Sequence, residues 1–271
     1  MKADLHCHST ASDGTLTPTE LIKLAKEQGL FGISITDHDT LEAYKTAAIA
    51  AKTSHIRLGT GIEFSCEYEG SSIHILGYDY NLLDSGIIDL CDRHQKRRIR
   101  RNEAILEQLE KKKIFISQHD LLQLGSTKTL GRPHIAEQMV RKGYVSSIQE
   151  AFNKYLGEGK SCYVPGASFS IPETIDIIHQ AQGKAFLAHP HLLPRKISTQ
   201  SLLKLPFDGI EAFYCRFSQQ SADPWIKIAQ EKGWLISGGS DFHGAIKPEI
   251  TLGCSYVGQE EFEKIFTHFL I

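Results

Sequence analysis

The sequence has no long apolar run. None of its stretches approaches the roughly 18 consecutive apolar residues of a membrane-spanning helix, and the first residues, MKADLHCHSTASDG, lack the apolar core of a signal peptide. It also has no excess of charge of one sign, because 30 Lys and Arg face 32 Asp and Glu, for a net charge of -2. We therefore expect a soluble cytoplasmic protein with no membrane partner and no obligate protein partner. The overall charge does not attract a polyanion, so an anionic ligand such as a nucleotide must bind through a local site.

Paired cysteines and motifs for covalent catalysis are also missing. The six cysteines are scattered with no CxxC spacing, which in a reducing compartment predicts buried thiols and no disulfide framework. Cys7 lies between two histidines, but alternation along a strand would turn it to the opposite face. The sequence contains neither a GxSxG motif nor a Walker-type loop, so a serine nucleophile and a phosphate loop of that type are not indicated.

Short β-like runs alternate with amphipathic helical stretches, which is typical of an α/β protein with a largely parallel sheet. The first unit runs from a strand at 2–6, through a helix that starts at Thr17-Pro18, to a strand at 31–36. Further strands are predicted at 57–64, 72–80, 184–188, 209–214 and 234–238, with helices near 41–52, 83–113, 173–182 and 260–271. Repetition of this kind predicts a β/α barrel.

Residues 96–166 interrupt the alternation. Helical patterns continue there without a convincing strand, so we predict a barrel in two parts, 1–95 and 167–271, with a helical insertion at 96–166. The insertion begins with the basic run KRRIRR at 96–101. Either a solvated helix face or a patch that faces phosphate or RNA would explain this run.

Seven of the thirteen histidines fall at or just beyond predicted strand ends. In a parallel barrel those ends meet at one mouth, where active sites form. His6 and His8 are two residues apart on an extended segment, so both rings face the same side. The same strand ends supply carboxylates, and burying so many ionisable groups without a cation would be costly. The candidate metal ligands on these segments are His6, His8, His38, Glu63, His74, His189, Asp241 and His243.

Imidazole and carboxylate ligands without thiolate favour Mn, Fe, Zn or Co over a structural cysteine-zinc site. More than one ion is needed to use this many ligands, and a carboxylate such as Glu63 or Asp241 can bridge two ions. Closely spaced ions activate a water and neutralise the charge that develops on a phosphate. The pattern therefore predicts hydrolysis of a phosphoester with a metal-bound water as the nucleophile.

Six motifs carry a resemblance to a known family: DLHCHSTASDG, ISITDHDT, GIEFSCEYEG, HILGY, AHPH and GGSDFHG. In this order they resemble the motifs of the polymerase and histidinol phosphatase family through most of the chain. The resemblance implies a distorted seven-stranded β/α barrel holding three divalent ions, with Mn favoured and Fe or Zn as alternatives. It assigns His6, His8, Glu63 and Asp241 to the first ion, Glu63, His74 and His189 to the second, and Asp13, His38 and His243 to the third.

Asp13 distinguishes two branches of that family. Histidinol phosphatase-like members tend to have a histidine at this position, whereas the SDG form, the insertion and its GRPHIA stretch resemble the nucleoside 3',5'-bisphosphate phosphatase branch. That branch is also associated with 5' to 3' trimming of short RNA. The resemblance therefore implies a nucleotide substrate, either a 3',5'-bisphosphate that loses its 3'-phosphate or a short 5'-phosphorylated RNA.

Four residues are candidates for binding the substrate phosphate: Arg132, His134, His191 and Arg216. A guanidinium matches phosphate oxygens in a bidentate way, but Arg132 could instead form a salt bridge at a helix start. His191 is also a candidate proton donor to the leaving group, a role that water could fill. Asp37 and Asp39 are candidates for orienting ligand imidazoles, and Asp39 equally for capping a helix. The remaining histidines, His55, His94, His119, His179 and His268, are expected at the surface.

Three other functions stay open. A histidinol-phosphatase-like or other small-molecule phosphatase would use the same centre. An amidohydrolase-type barrel also begins with HxH, but its bridging lysine has no counterpart here, where Glu63 and His74 occupy the middle strands. A non-catalytic metal-barrel binding module is the alternative from another class. The complete ligand set argues against it, because lost catalysis usually leaves replaced ligands.

Overall fold

The structure is a computed structural model that describes residues 1–122, 129–165 and 169–270. Seven strands form one sheet in which each strand pairs with the next along the chain. They are β1 (Lys2–Cys7), β2 (Leu30–Ile35), β3 (Arg57–Tyr68), β4 (Ser71–Tyr78), β5 (Lys184–Leu187), β6 (Gly209–Tyr214) and β7 (Leu235–Gly239). Beyond β7 the chain returns to β1, where Phe242 bridges Cys7 and the Asp241 N–H donates to the His6 carbonyl. This nearly closed barrel confirms the predicted seven-stranded architecture.

One strand runs in an unexpected direction. Parallel pairs join β1 to β2, β2 to β3, β5 to β6 and β6 to β7, but β4 is antiparallel to both β3 and β5. The sheet is thus largely parallel, as predicted, with β4 as its one antiparallel strand. Glu69 and Gly70, both at positive φ, form the two-residue turn between β3 and β4. A turn this short can join only antiparallel neighbours.

The chain also forms α-helices. Those in the described residues are α1 (Pro18–Glu27), α2 (Tyr44–Ser54), α3 (Ser85–Lys111), α4 (Gln118–Leu122), α5 (Arg132–Arg141), α6 (Ile148–Ala151), α7 (Ile171–Gln180), α8 (Thr199–Leu202), α9 (Asp223–Lys232) and α10 (Gln259–Ile265). Helix α1 begins where predicted, because Thr17 and Glu20 form a reciprocal capping box. The final helix, predicted to reach residue 271, ends at Ile265. Within the described part of the chain, no helix is both long enough and apolar enough to span a membrane.

Aromatic side chains anchor α10 to the barrel. Phe262 and Phe266 belong to a buried cluster with Tyr78 of β4 and Phe186 of β5. The Phe266 ring also lies against β3, where Gly59 has no side chain. A Cβ atom at this position would come within 2.4 Å of the ring. Full burial of such a side chain contributes about 1.5–3 kcal/mol. These contacts fix the C-terminal helix on the central strands.

The chain divides into two compact units. One comprises Met1–Cys91 with Ser168–Ile271 and contains all seven strands, and the other comprises Asp92–Ala167. The second unit has an apolar cluster of its own, which includes Ile105, Leu109, Ile135 and Met139. The bounds of the insertion, 96–166, stay a prediction, and the boundary at 166/167 lies outside the described residues.

One expectation about α3 is wrong, because His94, expected at the surface, is fully buried. Arg98, within the basic run, is also only 7% exposed. The reason is helical spacing, because His94, Arg98, Asn102 and Ile105 follow one another at three or four residues and share one buried face. Other members of the run, such as Lys96, are exposed. The basic run therefore includes both buried and solvated positions.

Two of the six cysteines are paired. Cys215, just after β6, forms a disulfide with Cys254, and their Cα atoms are 5.7 Å apart. The prediction of unpaired thiols is wrong for this pair. The two cysteines are 39 residues apart in the sequence, so no short motif such as CxxC indicates that the fold brings them together. The other four, Cys7, Cys66, Cys91 and Cys162, are buried and form no disulfide, as predicted. The Cys7 thiol donates to the Ser34 carbonyl.

Asp79 ties the end of β4 to the C-terminal segment. Its Oδ2 lies 2.6 Å from Lys184 Nζ and accepts hydrogen bonds from the Thr267 hydroxyl and N–H. Burial alone would raise the pKa of Asp79, but Lys184 and Thr267 hold it below its usual value. The ionised carboxylate therefore stabilises the fold above the unfolded-state pKa of about 3.9, and this contribution is lost as the pH falls through the lower folded-state pKa.

We predict that Asp79→Asn lowers the free energy of unfolding by about 1.5–3 kcal/mol at pH 7, as expected for hydrogen bonds to a charged group. Asparagine tolerates the positive φ of 55° at this position, so backbone strain is not added. Urea unfolding of both proteins should show the difference shrinking below pH 4 or so. Glu263→Gln, which removes an exposed partner of Arg57, is the control and should change stability by less than about 1 kcal/mol. Equal stability of Asp79→Asn and wild type at pH 7 would contradict this account.

Candidate metal centre

Imidazoles and carboxylates meet at the end of the barrel where β1 and β7 finish. His6 lies in β1 and His8 just beyond it, whereas His38 follows β2 and pairs through its backbone with Glu63 of β3. His189 comes soon after β5. Three further predicted ligands lie in loops: Asp13 after β1, and Asp241 and His243 after β7.

His74 reaches this group from the first half of β4, not from a strand end. The antiparallel register places His74 opposite Ser65, and the Ala188 N–H donates to its carbonyl. Its Nδ1 lies 2.7 Å from Glu63 Oε1. Because β4 runs against its neighbours, its beginning lies where the other strands end. The expectation that every ligand follows a strand end is therefore wrong for His74.

Three groups of side chains each bring one ligand atom per residue within 4.8 Å of one another. They are His6, His8, Glu63 and Asp241; His8, Asp13, His38 and His243; and His38, Glu63 and His74. Glu63 is only 1% exposed and belongs to two of the groups. His189 is in none of them, but its Nε2 lies 3.0 Å from Glu63 Oε1. Five of the predicted ligand histidines thus surround the buried Glu63 carboxylate, and Asp13, Asp241 and His243 join them through the shared ligand groups.

The donor atoms fit divalent cations. Nε2 of His6 and Nε2 of His8 face each other at 3.2 Å, and both lie within 3.2 Å of Glu63 Oε2. Two imidazole nitrogens that both present a lone pair repel each other, so a proton or a metal ion must lie between them. Nδ1 of His38 is buried and lies 3.2 Å from Glu63 Oε2, but it forms no hydrogen bond among the described residues. Imidazole and carboxylate are the ligands that Mn, Fe and Zn accept.

The surrounding histidines keep the carboxylates ionised. Burial alone would raise the pKa of Glu63, but His38 and His74 hold it well below its usual value. Burial alone would also raise the pKa of Asp13, but His38 and His243 hold that pKa well below its usual range. Burial lowers the pKa of His38 to about 3. Burial acts in the same direction on His8, but hydrogen bonds to Asp241 and Glu63 raise the pKa of that ring to about 9. The carboxylates of the centre are therefore anionic.

Comparison with known proteins identifies the family. Residues 4–186 match the model of the PHP domain. The chain belongs to the PHP domain family. Divalent metal ions are implied for a PHP protein of this kind, and the residues described above could hold them.

Known proteins match this chain over nearly its whole length. The PHP chain is 37% identical to a 5'-3' exoribonuclease of Haemophilus influenzae, over 89% of this chain and 90% of the relative. It is 29% identical to a 3',5'-nucleoside bisphosphate phosphatase of Chromobacterium violaceum, over 89% and 86%. A crystal structure from Bifidobacterium adolescentis, described as a metal-dependent phosphoesterase, superposes with a TM-score of 0.90 at 30% identity, covering 97% and 94%. The protein is a metal-dependent phosphoesterase of the PHP family.

Glu211 is a residue of the PHP centre that the sequence analysis missed. This fully buried side chain of β6 places Oε1 2.9 Å from His6 Nδ1 and accepts the His189 N–H at 2.7 Å with Oε2. A signal was present, because Glu211 is a lone acid inside the apolar strand GIEAFY. Gly239 of β7 allows a close approach to His6, since a side chain at position 239 would come within 2.4 Å of the His6 backbone nitrogen.

Tyr214 and Lys247 were also missed. The Tyr214 hydroxyl donates to Asp241 Oδ2 at 2.8 Å, and Lys247 Nζ lies 2.6 Å from the same oxygen. Asp241 Oδ1 is left facing His6 and His8 at 3.6 and 3.3 Å. Burial would raise the pKa of Asp241, but Lys247 and the nearby histidines hold it well below its usual value. Neither residue follows a recognisable motif, so only the fold reveals them.

Asp37 holds the loop after β1 of the PHP barrel, and Asp39 contacts the backbone of β3. Asp37 is 1% exposed and accepts hydrogen bonds from the hydroxyls of Ser9 and Ser12 and from the Ser9 N–H. Asp39 accepts the Ser65 N–H at 3.0 Å. The alternative of a helix cap at Asp39 is wrong, because α2 begins only at Tyr44. Through these bonds Asp37 holds the loop that carries Asp13.

His191 and Arg216 lie after β5 and β6 in this PHP chain. His191 Nε2 faces the Ser221 carbonyl at 3.2 Å, and its ring stacks on Phe217. Burial lowers the pKa of His191, which disfavours the protonated form that a proton donor needs. Arg216 lies 2.7 Å from Glu249 in an exposed ion pair. Neither residue contacts the metal ligands among the interactions described.

Arg132 and His134 belong to the second unit of the PHP chain and start α5. The Arg132 guanidinium donates to the Leu156 carbonyl at 3.3 Å and lies 5.3 Å from the centre of the Tyr163 ring. His134 is buried and its Nδ1 accepts the Gly131 N–H at 3.0 Å. Their role in binding phosphate stays a prediction.

Proposed function

We propose that this protein hydrolyses phosphoesters of nucleotides. It would remove the 3'-phosphate of nucleoside 3',5'-bisphosphates and trim short 5'-phosphorylated RNA from 5' to 3'. The observation that carries the proposal is the set of three ligand groups, two of which share Glu63. The names of the two relatives support the choice of substrates, since one is an exoribonuclease and the other a bisphosphate phosphatase. Both reactions present a phosphoester to the same kind of centre.

The proposed ligands form three sets, with Mn as the favoured metal and Fe or Zn as alternatives. The first set is His6, His8, Glu63 and Asp241; the second is Glu63, His74 and His189; the third is Asp13, His38 and His243. The short distances from Glu63 to His6, His74 and His189 support a bridging role for its carboxylate. When bound, closely spaced divalent ions supply an activated water and neutralise charge on a phosphate.

The chain itself supplies position and charge. Tyr214 and Lys247 hold Oδ2 of Asp241, so Oδ1 faces the histidines, and Asp37 holds the loop that carries Asp13. Fixed groups of this kind need little rearrangement as the reaction proceeds. A covalent nucleophile is not required by this arrangement.

Phosphate recognition is proposed for Arg132, His134, His191 and Arg216. An exposed ion pair such as that of Arg216 with Glu249 contributes little, so a substrate phosphate could replace Glu249 as the partner. His191 is the candidate proton donor to the leaving oxygen. Water is the alternative, because burial lowers the pKa of His191 and so disfavours its protonated form. Asp37 stays a proposed support of the ligand histidines through the loop after β1.

The proposal is tested by phosphate release with Mn²⁺ from three substrates: adenosine 3',5'-bisphosphate, histidinol phosphate and a short 5'-phosphorylated RNA. We expect turnover of the bisphosphate or the RNA, and at least about 10²-fold less with Asp241→Asn, which removes a charged ligand. Turnover of histidinol phosphate alone would contradict the nucleotide substrate and keep the metal-dependent chemistry. Binding of all three without turnover, in the fully metal-loaded protein, would favour a binding module.

A further inference from the structure

Glu211 connects two parts of the barrel that carry different proposed ligands. His6 lies in β1, His189 follows β5, and Glu211 in β6 contacts both. The carboxylate is fully buried, so water does not compete for its oxygens. In the part of the chain that the structure describes, Glu211 is in none of the three ligand groups. Its contacts therefore indicate a role that acts through the two histidines.

The contact with His6 sets the orientation of that ring. Because Nδ1 lies 2.9 Å from Glu211 Oε1, the opposite nitrogen, Nε2, faces Glu63 and His8. A carboxylate accepts hydrogen bonds and cannot donate one when ionised, so it favours the ring form with a proton on Nδ1. That form leaves the Nε2 lone pair for a metal ion.

The contact with His189 holds an unusual backbone. His189 has φ 25° and ψ 60°, a region that residues other than glycine rarely adopt. The His189 N–H donates to Glu211 Oε2 at 2.7 Å. This bond supports the turn that directs the His189 ring to Glu63. Backbone strain of this kind persists only where the surroundings fix it.

We infer that Glu211 is a positioning residue of the metal centre, which orients His6 and His189 together so that their rings present Nε2 to the metal ions. This inference rests on the proposed ligand roles of those histidines. A carboxylate behind a ligand imidazole typically accounts for a factor of about 10–100 in metal affinity. Because one side chain holds ligands of two proposed sets, its loss weakens both.

Glutamine is the sharpest substitution, because it keeps the shape and changes one acceptor into a donor. Both partners of Glu211, the Nδ1–H of a metal-bound His6 and the backbone N–H of His189, are donors. The amide oxygen of glutamine can accept one of these bonds, but its NH₂ group must face the other donor. Glu211→Gln therefore breaks one contact whichever way the amide is turned.

The test is binding of Mn²⁺ alone to the full chain, by calorimetry and by metal content after dialysis. We expect Glu211→Gln to bind at least one equivalent about 10–100-fold more weakly than wild type. At saturating Mn²⁺ the activity should show a lower kcat with little change in KM, since Glu211 is not proposed to contact substrate. Glu260→Gln, in an exposed pair with Lys264, is the matched control and should behave as wild type.

Equal Mn²⁺ affinity and stoichiometry in Glu211→Gln and wild type would overturn the inference and leave the proposed function standing. Wild type that binds no metal would overturn both. If Glu211→Gln does not fold, the Zn²⁺-loaded wild type gives the answer by ¹⁵N-histidine NMR. We then expect a slowly exchanging, downfield proton on Nδ1 of His6, and a rapidly exchanging Nδ1 proton without that shift would overturn the inference.

Discussion

Glu63→Gln should abolish phosphate release, lowering kcat/KM by about 10³-fold or more. Glu63 lies between His6, His8, His38, His74 and His189, and its carboxylate oxygens are within 3.2 Å of a nitrogen of each. A neutral amide cannot bridge two cations as a carboxylate does. Metal ions contribute several kcal/mol to stabilising charge in such a reaction, and about 4 kcal/mol corresponds to this loss. The measurement is turnover of adenosine 3',5'-bisphosphate or RNA at saturating Mn²⁺.

The same variant should remain folded, because glutamine has nearly the shape of glutamate and the site lies at the mouth of a barrel with separate apolar clusters. Circular dichroism separates a lost reaction from a lost fold. Glu231→Gln, in an exposed pair on α9, is the control and should keep full activity. Turnover of Glu63→Gln within about tenfold of wild type would show that Glu63 is not a shared ligand.

The barrel could be predicted from the sequence because its signals are local. A capping box starts α1, apolar runs mark the strands, and polar groups follow them. The direction of β4 could not be predicted from the same signals, since an apolar run reads the same in either direction. The turn at Glu69 and Gly70 was the available clue, because a two-residue connection excludes a parallel pair.

The ligand candidates could be predicted because histidines and acids stand out in apolar surroundings near strand ends. The residues that support them could not be predicted as readily. Tyr214 reaches Asp241 from the end of β6, Lys247 reaches it from the same segment after β7, and Cys215 meets Cys254 across 39 positions. Such pairs depend on the closed fold and not on spacing. Glu211 is intermediate, since a buried acid in a strand requires a partner, but the sequence does not name it.

Removing the metal ions should abolish the activity of this protein and lower its stability. Dialysis against a chelator should reduce phosphate release by about 10³-fold or more, and Mn²⁺ should restore it. A ligand that binds only the folded state adds about 2.7 kcal/mol at 100 times its Kd. For the barrel unit this corresponds to a fall in Tm on chelation of roughly 5–11 °C, since 1 kcal/mol shifts Tm by about 2–4 °C at this size. Calorimetry with and without Mn²⁺ measures it.

Glu63→Gln is the matched control for this stability effect. If the ions bind through Glu63, the Tm of the variant should change far less on chelation than that of wild type. A shift of the same size in both proteins would mean that the stabilising ion binds elsewhere. Loss of activity without any change in the Tm of wild type would instead indicate ions bound only with substrate, because such ions add nothing to the free protein. The two measurements together separate a resident metal centre from one assembled during the reaction.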